Sequence, residues 1–160
     1  MPYEKTNKLH ILAVTAVIRN SIGKYLVLKR SARELAFPEH WCFPGGKVEG
    51  TDTIEQTLAK EIQEEAGLTM KPGKILLKDA SFVRPDEQTV KVLVCLCEVE
   101  PGEVKFDEHD FTEARWVTAV ELKTLPHVGI EEEVRKAEEI IALGIPLEKL
   151  QTKSEQPWEA

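Results

Sequence analysis

The sequence predicts a single α/β domain, and three observations carry that prediction. Short runs rich in Leu, Ile and Val recur along the chain, residues 52–66 repeat apolar side chains every four positions, and 160 residues can bury one core unaided by disulfides. Apolar residues make up 42% and charged residues 31%, a balance that folds instead of remaining disordered.

Strands open the chain. Residues 9–18 are rich in Leu, Ile, Val and Thr, Asn20-Ser21-Ile22-Gly23 supplies turn chemistry, and residues 25–28 resume the apolar run, so a β-hairpin is expected. Residues 31–40 show no sustained period. Phe43-Pro44-Gly45-Gly46 then predicts an irregular loop with two residues free to take positive φ. Asp52 or Thr53 can cap a helix on which Ile54, Leu58, Ile62 and Ala66 form the apolar stripe, and Gly67 is its natural stop. Strands follow at 75–83 and 90–98, with Pro101-Gly102 as the turn after them. A short strand at 115–117, a helical turn at 120–125 and an amphipathic helix at 130–143, ended by Gly144, complete the domain at residue 146. Residues 147–160, with Pro157 and Trp158, read as a polar, loosely held tail or an oligomer contact.

Charge narrows the function. Against 28 Asp and Glu stand 21 Lys and Arg, for a net charge of −7, which excludes binding to long nucleic acid through a basic face. A phosphate-bearing ligand then needs a local cation, and a metal ion held by clustered carboxylates supplies one. Cys42, Cys95 and Cys97 fall in no zinc or disulfide spacing; Cys95 and Cys97, two apart, face one side of a strand as small buried hydrophobes. Residues 1–8 are polar and no apolar run is long enough to cross a bilayer, so the expectation is a cytoplasmic protein with no membrane partner.

The acids of the 52–66 helix are its informative feature. At about 100° per residue, Glu65 lies between Ile54 and Leu58 in azimuth and Glu61 about 20° beyond Ile54, so both face inward. Glu64 sits about 60° outside Glu61, and the three acids form a patch at the helix's C-terminal half. Mutual repulsion and the helix dipole both oppose such a patch, so something positive must compensate. Hard cations such as Mg²⁺ or Mn²⁺ take oxygen ligands, and acids at i, i+3 and i+4 can converge on them. A solvated face paired with lysines is the competing reading. The nearby Gly45-Gly46-Lys47 turns the balance, because backbone free of side chains can bring carbonyls to a metal or amides to a phosphate.

These residues also carry a resemblance. Gly46, five residues, Asp52, seven residues, then Lys60-Glu61-Ile62-Gln63-Glu64-Glu65-Ala66-Gly67-Leu68 resembles the Nudix box, G-x5-E-x7-R-E-U-x-E-E-x-G-U, where U is bulky and aliphatic. Trp41-Cys42-Phe43-Pro44-Gly45-Gly46, Glu113-Ala114-Arg115-Trp116-Val117 and the opening strands are similar to sequences of the MutT-like Nudix family too. Asp52 and Lys60 depart from the usual Glu and Arg, a pair that braces the motif, and neither can reproduce a bidentate fork.

The resemblance implies a Nudix-type α/β/α sandwich with a mixed β-sheet and a loop–helix–loop catalytic motif. It implies a hydrolase that cleaves a phosphoanhydride bond of a nucleoside diphosphate-linked substrate with Mg²⁺ or Mn²⁺. Carried over by position, Glu61, Glu64 and Glu65 bind metal or assist deprotonation, and the Gly46 carbonyl is a backbone ligand. Glu108 and Asp110, in a loop expected near the site, are further candidates for the general base, with His109 as a relay. Arg30, Gly45, Gly46, Lys47 and Phe82 are candidate substrate contacts; Phe37, Trp41 and Phe106 are aromatic residues that more often belong to a core. An ordinary or oxidised nucleoside triphosphate is the favoured substrate. Pro85 keeps ADP-ribose or another nucleotide sugar as the alternative, and a nucleotide sensor without catalysis is the alternative of another class. Family members are often dimers, which leaves room for a homodimer here.

Overall fold

The computed structural model describes residues 9–156; the polar stretch 1–8 and the Pro157 and Trp158 of the tail lie outside the described residues. Seven strands and three α-helices follow one another as β1 Ile11–Ile18, β2 Tyr25–Arg30, β3 Trp41–Cys42, β4 Gly45–Lys47, α1 Ile54–Ala66, β5 Ile75–Val83, β6 Thr89–Cys97, β7 Phe111–Val117, α2 Ala119–Leu122 and α3 Glu131–Ala142. A mixed four-stranded sheet runs β4-β1-β6-β5, with β1 and β6 parallel; a three-stranded antiparallel sheet runs β3-β2-β7.

Alternation along β1 and β6 assigns the two faces of the larger sheet. Val14, Ala16, Ile18, Cys95 and Cys97 pack against Leu58, Ile62 and Ala66 of α1, while Val17, Val94 and Leu96 pack toward Val134 and Ala137 of α3. Leu26 and Leu28 of β2 join the first cluster, and Tyr25 and Val27 join the second. The strands therefore form the middle layer of an α/β/α sandwich. Cys95 and Cys97 share a buried face, as their spacing requires.

Three expectations need correction. The predicted hairpin is absent: β1 and β2 lie in different sheets, joined at the turn by an isolated Arg19–Tyr25 bridge, because β4 and β6 already occupy both edges of β1. Asn20 still makes the turn, its Oδ1 accepting from the amides of Ile22 at 3.2 Å and Lys24 at 2.9 Å. Gly45 and Gly46 do not adopt positive φ; they form β4, paired with Thr15 and Val14. Residues 147–156 are not loosely held. Leu147 and Leu150 pack on the core, Thr152 exchanges backbone hydrogen bonds with Lys74 at 3.0 and 2.8 Å, and Ser154 Oγ accepts from the Glu55 amide at 3.2 Å.

Helix α1 is fixed at both ends. Thr53 Oγ1 accepts from the Gln56 amide at 3.1 Å while Gln56 Oε1 accepts from the Thr53 amide at 2.9 Å, a reciprocal cap worth about 1 kcal/mol. Gly67, at φ 67°, ends the helix in the left-handed region that a side chain resists.

Candidate active site

Strand β4 and α1 build the site together. A Cβ added to Gly45 would strike the Val14 carbonyl, and one added to Gly46 would strike the Glu61 carboxyl. Gly45 is therefore required for close approach to the β1 backbone, whereas at Gly46 a side chain would displace the Glu61 carboxyl. On α1, Glu61 and Glu65 are half-buried and Glu64 is exposed, as their azimuths require. The Gly45 amide donates to Glu65 Oε2 at 3.2 Å, which points this carboxyl at the glycine strand.

Burial pushes the Glu65 carboxyl up to about 8; the Gly45 amide opposes the shift, and the carboxylates of Glu61, Asp110 and Asp107 add to it. Burial also raises Glu61, reinforced by Glu64 and opposed by Lys60. Acids crowded in this way favour a bound cation. The donor set, hard oxygens beside a glycine whose Cβ would fill the gap, fits a divalent ion of the Mg²⁺ or Mn²⁺ class. Among the described residues, no group of three or more His, Cys, Asp or Glu side chains converges closely enough to hold an ion. The inward pair Glu61 and Glu65, with Gly46, thus forms the nucleus of the site, and Glu64 stands one turn from it.

The loop before β7 comes to the same place. The Asp107 amide donates to the Glu65 carbonyl at 3.1 Å, and Asp107 and Asp110 both act electrostatically on Glu65. Glu108 is exposed, whereas Asp107 and Asp110 are half-buried. Of the expected pair Glu108 and Asp110 only Asp110 is half-buried, and Asp107 joins it. The signal for Asp107 is local: its Oδ1 accepts from the His109 amide at 2.9 Å, the side-chain turn that Asp favours. His109 Nδ1 lies 2.9 Å from Asp110 Oδ1.

Arg30 ends β2 at a bulge opposite Phe111. Its Nε donates to the Ala36 carbonyl at 2.9 Å and its Nη2 to Glu34 at 3.2 Å, so the side chain clamps the 31–40 loop. It remains beside the site: Arg30 and Glu65 both act on the buried Cys42 thiol, which burial pushes up to about 11. Lys47 is exposed at the end of β4. Phe82, 51% exposed, shares a sheet face with Gly45 but lies three strands and four register positions away, on the order of 20 Å. The structure does not bring it to the acidic pocket. Trp41 and Phe43 are buried, and Arg115 stacks on the Trp41 ring at 5.0 Å. Asp52 and Lys60 are both exposed and make no ion pair with each other.

His127 has a structural partner set that the sequence did not show. Its Nδ1 accepts from the amides of Gly129 at 2.9 Å and Ile130 at 3.2 Å, so its Nε2 carries the proton and donates to Glu131 at 3.1 Å. The ring satisfies amides at the entry to α3, where no side chain of the capping residue does so.

The model of the NUDIX domain matches residues 9–138. A protein of Enterobacter sp. named nucleoside triphosphatase NudI is 31% identical over 121 residues, 70% of this chain and 84% of that protein. An ADP-ribose pyrophosphatase of Methanocaldococcus jannaschii is 32% identical over 124 residues, 76% of this chain and 68% of that protein. The crystal structure of a MutT protein from Methanosarcina mazei superposes with a TM-score of 0.69 at 28% identity, covering 82% of this chain and 95% of that one. With the domain model matching most of its length and a relative 31% identical over 70% of it, the chain belongs to the Nudix hydrolase family.

Proposed function

We propose that this chain is a metal-dependent nucleotide pyrophosphohydrolase whose preferred substrate is a nucleoside triphosphate, ordinary or oxidised. The observation that carries the reading is the inward pair Glu61 and Glu65, set against Gly45 and Gly46 with no Lys or Arg ion pair among the described residues. Glu61, Glu65 and the Gly46 carbonyl would hold the ion, with Glu64 joining from the exposed side. A bound Mg²⁺ or Mn²⁺ supplies positive charge to the phosphate oxygens and activates water for attack. The protein's own part is to place these groups and keep the chemistry beside a dry core. Asp110, with His109 at 2.9 Å, is the group best placed to accept a proton outside the helix, and Asp107 is its neighbour.

Retention of all three box glutamates favours a catalyst over a sensor. The triphosphatase name of the Enterobacter relative supports the favoured substrate, and the Methanocaldococcus relative keeps ADP-ribose as the second reading. Product analysis on a panel of nucleoside triphosphates, oxidised nucleotides and ADP-ribose, with and without Mg²⁺, tests both: a triphosphate releases phosphate or pyrophosphate, whereas ADP-ribose gives AMP and ribose 5-phosphate. Metal-dependent turnover of a triphosphate is expected; binding without turnover of any member would make the chain a sensor.

A further inference from the structure

A second charged feature lies just outside the acidic pocket. Residues 31–36 and 107–110 are tied together there: the Ser31 amide donates to the Asp110 carbonyl at 2.8 Å, and Arg33 Nη2 donates to the His109 carbonyl at 3.3 Å. Between them opens a cleft of about 430 Å³ walled by Arg30, Arg33, Glu34 and His109.

Its charges do not cancel. Glu34 answers Arg30 at 3.2 Å, but Arg33 is exposed and meets no carboxylate among the described residues. The His109 side chain is 83% exposed, with Nδ1 toward Asp110 and no partner for Nε2 among the described residues. The cleft between α2 and α3 differs in this respect, since its Arg135 is already held by Glu132 and Glu139. Through the 107–110 loop, Asp107 and Asp110 act electrostatically on Glu65, and none of the three has a Lys or Arg partner among the described residues. Acids without a Lys or Arg partner beside the unpaired donors of Arg33 and His109 Nε2 suit a ligand that is both cationic and polyanionic, such as a metal-bound polyphosphate.

We propose that this cleft takes the terminal phosphate of the substrate's polyphosphate chain, with the Arg33 guanidinium and His109 Nε2 as donors. The proposal rests on the nucleotide reading of the acidic pocket and sharpens it. A nucleoside triphosphate presents a free terminal phosphate to Arg33. ADP-ribose, whose diphosphate carries a sugar at each end, does not.

The test is calorimetric titration with inorganic tripolyphosphate in excess Mg²⁺, alongside KM for a nucleoside triphosphate and for ADP-ribose. Arg33→Ala is expected to weaken tripolyphosphate binding about tenfold, the scale of one charge-assisted hydrogen bond, and Arg33→Lys to recover part of it. KM for the triphosphate should rise at least about fivefold more than KM for ADP-ribose. Unchanged tripolyphosphate affinity in Arg33→Ala, or no binding by the wild type, overturns the subsite. Equal rises in both KM values also overturn it and reduce Arg33 to a strap on the 107–110 loop. Should Arg33→Ala not fold, His109→Gln reads the same affinity. Absence of turnover with every nucleotide would instead sink the hydrolase reading, and the titration would still decide the subsite.

Discussion

The Gly45 amide donates to Glu65 Oε2 at 3.2 Å, a bond that joins the glycine strand to the acidic helix at the centre of the site. It connects a strand whose position is set by β1 to a helix whose position is set by the core. The two carboxylates that face the strand inherit their placement from elements that cannot easily move.

Gly46→Ala tests that close fit. The added methyl meets the Glu61 carboxyl, so the side chain must shift or the strand must part from α1. Turnover is expected to fall at least about tenfold with little loss of stability, because the flexible Glu61 carboxyl can swing aside but then leaves its place. Steady-state kinetics and urea unfolding on the same preparation check it, and a fully active variant would show that Glu61 has no fixed place.

Glu65 makes stability depend on pH in an unusual direction. Its folded carboxyl is raised from 4.5 to about 8, so the folded state holds a proton that the unfolded state releases. The stabilising contribution is complete below about 4.5 and is lost as pH rises through about 8. Without divalent metal, unfolding free energy should therefore decline between pH 6 and pH 9, and Glu65→Gln should flatten the decline. Added Mg²⁺ should restore stability at pH 9, since a metal ligand must be deprotonated. A wild-type profile identical to that of Glu65→Gln would contradict the raised carboxyl.

His127→Ala removes the acceptor for two amides at the start of α3. A loss of about 0.5–2 kcal/mol is expected, the range for removing a helix cap, and thermal unfolding measures it. Substrate affinity carries the alternative: a change in KM without a change in stability would assign the ring to ligand binding instead.

Much of this was legible in the sequence, and the failures have physical causes. The period of four in Ile54, Leu58, Ile62 and Ala66 located α1, and the same geometry turned Glu61 and Glu65 inward and left Glu64 outside. Local information sufficed because a helix is built from local contacts. The hairpin failed because the partners of β1 are β4 and β6, and pairing over such distances leaves no trace between residues 18 and 25. Gly45 and Gly46 have the sequence of loop glycines, whereas the atoms that crowd them belong to Val14 and Glu61, which are not sequence neighbours. Residues 147–156 looked loose for the same reason: Lys74 and Glu55 hold them, and neither is a sequence neighbour.

Binding of Mn²⁺, followed by its paramagnetic signal and by calorimetry in the wild type, Glu61→Gln and Glu65→Gln, tests the central claim most directly. The account predicts that the wild type binds the ion, that either substitution weakens binding at least about tenfold, and that turnover falls by about a hundredfold in parallel. Equal affinity in all three proteins, or a wild type that binds no divalent ion, would contradict it.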